Sequence, residues 1–230
     1  MEDNQFQNYN QVNFDPNDIG NMTSTVILCI AVIDISPSIH DYAKVMNDAL
    51  RELYIQELKN SHRKNDIMVK AITFNNEVKH VSGFQPILSV SDDYLSVSPS
   101  GRATALYTAT LEALMSAKQY REDLEIQGIE VRTSVLVITD GEDNHSAVSD
   151  LTSLKREIQE IRSNESWANS FTIKIIGVKN EANFENAAIQ MGLDPKLVLI
   201  KVDATGKELR SAIGVVSQST TSNTASTITF

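Results

Sequence analysis

Runs of β-branched and other apolar residues alternate with longer amphipathic segments along most of the chain. The first run, Val26 to Ile33, is almost continuously apolar, as a strand buried on both faces requires. The next segment repeats its apolar residues about every 3.6 positions from Ile39 to Leu58, which predicts a long amphipathic helix. Strands are predicted at residues 26–33, 67–74, 78–81, 135–138, 171–178 and 197–202. This alternation predicts an α/β fold with a doubly wound, mostly parallel six-stranded sheet and helices on both faces.

Turn and capping residues support this order of elements. Asn75-Asn76 is typical of a tight turn, so the strand at residues 78–81 should run antiparallel at an edge of the sheet. Thr205 and Glu208 have the spacing of a capping box at the start of the last helix. Further helices are predicted through residues 106–117, 151–161, 184–191 and 205–216.

Both ends of the chain differ in composition from its middle. Residues 1–22 are rich in Asn and Gln, and residues 218–230 are mostly Ser and Thr without a charged side chain. Such segments lack the apolar surface that a core requires. We therefore predict one domain over residues 23–217 between two polar tails.

Charge and cysteine content exclude several classes of function. The chain has 20 Lys and Arg against 30 Asp and Glu, a net charge of −10. Nucleic acids and anionic membranes require clustered cations, so we expect neither as a partner. The single cysteine, Cys29, excludes a disulfide framework and a cysteine-based zinc site. The first basic residue is Lys44, which is not the pattern of a secretory signal, and a cytoplasmic location is expected.

Three polar segments follow strands or precede helices where an α/β sheet usually binds its ligand. Asp34, Ser36 and Ser38 follow the first strand, and Asp140 directly follows the fourth. The segment from Ser98 to Thr104 leads into a helix. Ligands of such sheets bind beyond the carboxyl ends of the strands, where the strand order reverses.

The side chains of these segments are suited to a hard cation such as Mg²⁺, which takes oxygen ligands. Two carboxylates and three hydroxyls supply five oxygen ligands but only two negative charges. This shortage of charge and of one ligand favours capture of a carboxylate from another molecule. The set comprises Asp34, Ser36, Ser38, Thr104 and Asp140.

The combination resembles a von Willebrand factor A (vWA) domain with an intact metal-ion-dependent adhesion site. Asp34, Ser36 and Ser38 match the D-x-S-x-S element, Thr104 the threonine before a long helix, and Asp140 the aspartate of the T-D-G element. The resemblance covers residues 23 to 217. It departs from the commonest pattern at Pro37, where glycine is frequent, and proline should stiffen this loop.

The resemblance implies a strand order of 3-2-1-4-5-6 and a binding function without catalysis. In such domains the hydroxyls contact the metal, and the aspartates act directly or through water. A glutamate or aspartate of a partner protein completes the shell. Mg²⁺ is the expected ion, with Mn²⁺ or Ca²⁺ as alternatives. Intracellular microbial relatives of this type imply a role in a stress-response or defence assembly.

Four further residues near these segments are expected to support the metal or to line the partner's approach: Arg102, Glu142, Asp143 and Asn144. The alternative for Arg102 is a solvated position on its loop. The alternatives for the ligands are purely structural, since Ser36 and Ser38 suit a helix N-cap and Asp140 suits a turn.

Two other functions stay open at this point. The same oxygens suit a metal-dependent hydrolase or phosphatase, although no general base besides the aspartates is evident. The chain also suits a structural subunit of an oligomer or filament, with β-branched residues of the tail at 218–230 adding a strand to a neighbour's sheet.

Overall fold

The computed structural model describes residues 25–179, 183–203 and 206–222. The predicted tail at residues 1–22, the last residues of the predicted tail at 218–230, and the predicted cap Thr205 lie outside this part of the chain. Glu208, the other half of the predicted capping box, accepts a hydrogen bond from the backbone N–H of Asp203 at 2.9 Å.

One mixed, mostly parallel sheet forms the centre of the molecule, and its strand order is β3-β2-β1-β5-β6-β7, with β4 paired to β2. This confirms the predicted fold and the predicted order of the six strands. The described residues hold seven strands, one more than predicted. The strands are β1 (Thr25–Asp34), β2 (Ile67–Phe74), β3 (Val78–His80), β4 (Gln85–Pro86), β5 (Glu130–Thr139), β6 (Phe171–Val178) and β7 (Leu199–Val202).

The additional strand β4 is two residues long and pairs antiparallel with Met68 and Val69 of β2. Pro86 has no N–H to donate, so it is tolerated only at an edge of a sheet. Two residues are too short for an alternating pattern, which is why the sequence did not predict this strand.

Helices cover both faces of the sheet. They are α1 (Ala43–Ala49), α2 (Gln56–Asn60), α3 (Leu106–Glu125), α4 (Val148–Ser163), α5 (Glu165–Ala168), α6 (Phe184–Met191), α7 (Pro195–Val198) and α8 (Gly206–Thr221). Alternate residues of β1 serve the two cores. Leu28 and Val32 pack with α3, α4 and α6, whereas Cys29 and Ile33 pack with α1 and α8.

The predicted helix from Ile39 to Leu58 is interrupted. It begins as a 3₁₀ turn at Pro37–Tyr42, and a π-helical stretch, Leu50–Ile55, separates α1 from α2. This stretch buries Tyr54 and Ile55 together and leaves Leu53 partly exposed. The wider π turn rotates the buried face, which a 3.6-residue period does not anticipate.

The last helix continues past the predicted domain end at residue 217. Within it, the hydroxyl of Thr220 bonds to the carbonyl of Val216 at 2.9 Å and lies 3.0 Å from the hydroxyl of Ser134 on β5. The first residues of the predicted tail are therefore helical and contact the sheet. Among the described residues, no helix is both long enough and apolar enough to cross a membrane.

Lys70 is a cation buried in the middle of β2. Its side chain is almost inaccessible, and its ammonium donates to the Ser116 hydroxyl on α3 at 3.1 Å and lies 5.5 Å from the centre of the Phe84 ring. Burial lowers the pKa of Lys70 to about 8 from an ordinary 10.5, against the opposing charge of Glu112. Burial disfavours the charged form of a lysine.

This shift predicts a specific dependence of stability on pH. Between the folded pKa near 8 and the unfolded pKa of 10.5, the unfolded chain binds more protons, so this lysine makes the free energy of unfolding rise with pH. Over the whole window the rise is about 3 kcal/mol. Urea unfolding from pH 7 to pH 10.5 should show Lys70→Met losing this rise, while exposed Lys79→Met keeps it. Parallel curves for wild type and Lys70→Met would contradict the assignment.

Candidate metal centre

Asp34 ends β1 and is held from two sides. Its Oδ1 accepts from the backbone N–H of Ser36 at 2.8 Å, and its Oδ2 accepts from the Thr139 hydroxyl at 2.7 Å. Burial raises the pKa of Asp34, the hydrogen bonds from Ser36 and Thr139 lower it, and the charge of Asp140 raises it. The net shift of the Asp34 pKa is upward, because burial outweighs the hydrogen bonds.

Ser36 and Ser38 join Asp140 in a chain of oxygen atoms. The two hydroxyl oxygens lie 3.0 Å apart, and the Ser38 hydroxyl donates to Oδ1 of Asp140 at 2.7 Å. Ser36 occupies the N-cap position of the 3₁₀ turn, but its side chain accepts no capping hydrogen bond. The structural alternative for Ser36 as a helix cap is therefore not supported.

Thr104 lies beside the Asp140 loop and is buried. Its backbone N–H donates to Oδ1 of Asn144 at 2.8 Å, and the N–H of Asn144 donates to the Thr104 carbonyl at 3.0 Å. A Cβ at Gly141 would lie 3.6 Å from the Thr104 hydroxyl oxygen. The structure thus brings all five predicted ligand residues to the carboxyl edge of β1 and β5.

The predicted supporting residues have different surroundings. Asp143 accepts from the backbone N–H groups of Tyr107 at 3.0 Å and Ser146 at 3.1 Å. It thereby caps α3, whose own N-cap residue, Ala105, has no polar side chain. Asp143 and Asn144 consequently fasten the loop after β5 to the loop that bears Thr104.

Glu142 and Arg102 lie further out. Oε1 of Glu142 accepts from the backbone N–H of Asn183 at 2.7 Å, which directs this carboxylate toward the segment before α6. Arg102 is exposed on its loop, and its backbone N–H donates to Oδ1 of Asn76 at 3.1 Å. Their roles in partner binding stay predictions.

Gly101 allows the loop before α3 to lie directly against the turn after β2. Its φ is +85°, and a Cβ at this position would clash with the side-chain amide of Asn75. That Asn75 amide donates to the Ser100 carbonyl at 3.1 Å, and the Asn75 carbonyl accepts from the N–H of Ala105 at 2.7 Å. Since Ser100 also bonds to the Ile35 carbonyl at 2.7 Å, this contact positions two ligand loops together.

Lys179 belongs to the site although the sequence interpretation did not include it. Its ammonium donates to the Ser38 carbonyl at 2.9 Å and to Oδ2 of Asp140 at 3.2 Å. Its position in the sequence could have indicated this, because Lys179 directly follows a predicted strand. That strand, β6, pairs in parallel with β5, so the residues after the two strands lie side by side.

Tyr42 forms part of the wall of the site. The Lys179 ammonium lies 5.2 Å from the centre of its ring. Burial and the nearby negative charges of Asp140 and Asp34 raise the pKa of Tyr42 well above its ordinary value. The hydroxyl therefore stays protonated throughout the physiological range.

The donor set fits a small, hard cation. In the described part of the chain, no three His, Cys, Asp or Glu side chains are grouped closely enough to hold a metal, so a site here depends on hydroxyl oxygens. An octahedral Mg²⁺ shell, with bonds of about 2.1 Å, sets neighbouring ligand oxygens about 3 Å apart. The hydroxyl oxygens of Ser36 and Ser38 lie 3.0 Å apart, and the Ser38 hydroxyl lies 2.7 Å from Oδ1 of Asp140. These are hydrogen-bond distances, and they bring the three oxygens close enough together to contact one ion.

No protein-family model matches the sequence, and a search of curated proteins finds no match. Solved structures do match. Proximal thread matrix protein 1 of the mussel byssus, solved with a zinc-occupied MIDAS motif (metal-ion-dependent adhesion site), is 18% identical with a TM-score of 0.58 over 85% of this chain and 46% of that one. The pilus adhesin SpaC of Lactobacillus rhamnosus GG is 9% identical with a TM-score of 0.61 over 86% and 31%.

A third structure, the conserved hypothetical protein BatB of Bacteroides thetaiotaomicron, is 18% identical with a TM-score of 0.56 over 84% of this chain and 98% of that chain. This chain therefore spans less than half of the byssus and pilus proteins but nearly all of the BatB structure. These likenesses show that the chain has a vWA-like fold.

The contact between Gly101 and Asn75 generates a testable prediction. Gly101→Ala should lower the free energy of unfolding by about 2–4 kcal/mol, since it combines an unfavourable positive φ with a steric clash. Gly128→Ala is the matched control, because Gly128 has a φ of +80° with no atom within 4 Å of the added Cβ. It should lose only about 1–2 kcal/mol.

Urea unfolding of both variants measures the difference. Equal losses would show that the structure accommodates a Cβ at Gly101 without a steric cost.

Proposed function

We propose that the chain is a non-enzymatic, metal-dependent protein-interaction module. One Mg²⁺ ion would be held by five side chains: Asp34, Ser36, Ser38, Thr104 and Asp140. A bound divalent ion would supply a coordination position for a carboxylate of the partner. The observation that carries the proposal is the convergence of three hydroxyls and two carboxylates at one edge of the sheet.

The charges of the site support binding of an acidic partner. The whole chain carries a net charge of −10, which alone would repel an acidic protein. Two carboxylates balance a divalent cation without excess, and hydroxyl ligands add no negative charge. The bound ion would therefore cancel the negative charge of the site and leave a cation that a carboxylate of the partner can coordinate.

The identity of the metal rests on ligand chemistry. Hydroxyl and carboxylate oxygens suit Mg²⁺, Mn²⁺ and Ca²⁺, whereas zinc more often takes nitrogen or sulfur ligands. The byssus matrix protein has zinc in its MIDAS motif, so zinc belongs in any comparison of ions. A cytoplasmic location and a role in a stress-response or defence assembly stay predictions within this proposal.

Among the described residues, nothing favours the hydrolase alternative. Asp34 and Asp140 each accept two hydrogen bonds from within the protein. Asp143 caps α3, so it is committed to the structure. Activation of water would require a further basic group near the ligands.

The metal site is tested by calorimetric titration of Mg²⁺ and Mn²⁺ into metal-free protein. Wild type should bind one ion, and Asp140→Ala and Ser38→Ala should each lower the affinity at least about tenfold, since each removes a ligand. Asp123→Ala is the matched control, because Asp123 is an exposed aspartate on α3, and it should bind like wild type. Unchanged binding by both ligand variants would remove the proposed site.

Partner capture tests the function separately from the metal. Immobilised wild-type protein should retain an acidic protein from a cell extract in Mg²⁺ and release it in EDTA. Asp34→Ala and Asp140→Ala should fail to retain it, while Asp123→Ala retains it. Retention of the same protein by the two ligand variants in EDTA would show that binding uses another surface.

A further inference from the structure

Lys179 places a positive charge beside two of the residues that are proposed to hold the metal. Its ammonium contacts the backbone carbonyl of Ser38 at 2.9 Å and Oδ2 of Asp140 at 3.2 Å. The Asp140 side chain is 1% exposed and the Lys179 side chain 26% exposed. This is therefore a largely buried ion pair, in which electrostatic attraction is less screened than at the surface.

Both oxygens of Asp140 are occupied by the protein. Oδ1 accepts from the Ser38 hydroxyl and Oδ2 accepts from Lys179. Each oxygen keeps a further lone pair, so a metal ion can still use Asp140, but it must approach a carboxylate that already has a cation beside it. The ammonium is the group that opposes it, since it carries charge of the same sign.

The backbone at Lys179 also has an unusual conformation. Its φ is +69°, and among the described residues it is the one non-glycine residue with a positive φ. Its N–H donates to the Val202 carbonyl at 2.9 Å, which holds the residue at the end of the sheet. A left-handed conformation is unfavourable for a lysine, so the contacts of the ammonium and the backbone must outweigh its cost.

We propose that Lys179 is an internal cation that competes with the divalent metal ion for Asp140. Without a metal the ammonium neutralises this carboxylate, and a bound divalent ion would repel the ammonium from it. The inference rests on the proposed metal-dependent function and adds a residue that sets the affinity of the site. Lys179 thus raises the metal concentration at which the site becomes competent to bind a partner.

Lys179→Met tests the competition, because methionine keeps much of the side-chain volume without the charge. Calorimetric titration should show that the variant binds Mg²⁺ roughly tenfold more tightly than wild type, or better. The reason is that an ammonium beside the same carboxylate repels a divalent ion strongly. Lys201→Met is the matched control, because Lys201 is a more exposed lysine that pairs with Glu185 on α6. It should leave the affinity unchanged within about twofold.

Thermal unfolding gives a second readout. In EDTA, Lys179→Met should unfold at a lower temperature than wild type, because buried Asp140 has lost its counter-charge. Added Mg²⁺ should raise the unfolding temperature of Lys179→Met more than that of wild type. A purely structural ion pair would give the first effect without the second and without tighter binding.

The outcomes separate this inference from the proposed function. If wild type binds Mg²⁺ and Lys179→Met binds with equal or lower affinity, the competition is overturned and the metal site stands. If only Lys179→Met binds measurably, the competition is supported. If neither protein binds Mg²⁺, both the inference and the proposed metal site are overturned.

Discussion

The parallel pairing of β1 with β5 is the constraint on which the site depends. Ile33 pairs with Ile138 in this register, so the residues that follow, Asp34 and Thr139, lie side by side. The hydrogen bond from the Thr139 hydroxyl to Asp34 spans this pair. Parallel strands end at the same edge of a sheet, and the order reverses between these two, which opens a crevice for a ligand. A shift of one residue in this register would turn every side chain of the shifted strand to the opposite face.

Loops fastened to one another complete what the strands begin. Asn144 bonds twice to Thr104, and Asp143 caps α3 in place of Ala105. Hydroxyl ligands are weak ones, so they must be held in place before the ion arrives. Hydrogen bonds from neighbouring backbone and side chains provide this order. Lys179 adds a charge to the same edge, and the metal-free state is therefore compensated electrostatically as well as ordered.

Sequence periodicity predicted the strands and helices, because long buried strands and amphipathic helices leave strong patterns. The strand order was predicted from the family resemblance. Periodicity did not predict β4, which is too short, or the π-helical stretch Leu50–Ile55, which departs from the 3.6-residue period. The candidate ligands were recognisable because they cluster at strand ends. Lys179 was missed because a lone lysine after a strand matches no sequence motif. Its role becomes visible only when the pairing of β5 with β6 places it beside Asp140.

The central claim is that these five residues bind one divalent cation. A structure from crystals grown in Mn²⁺, with diffraction recorded near the manganese absorption edge, tests it most directly. We expect one anomalous peak within coordination distance of the Ser36, Ser38 and Thr104 hydroxyl oxygens, with the Lys179 ammonium withdrawn from Asp140. No peak at this edge of the sheet, with the contact between Lys179 and Asp140 intact, would contradict the account.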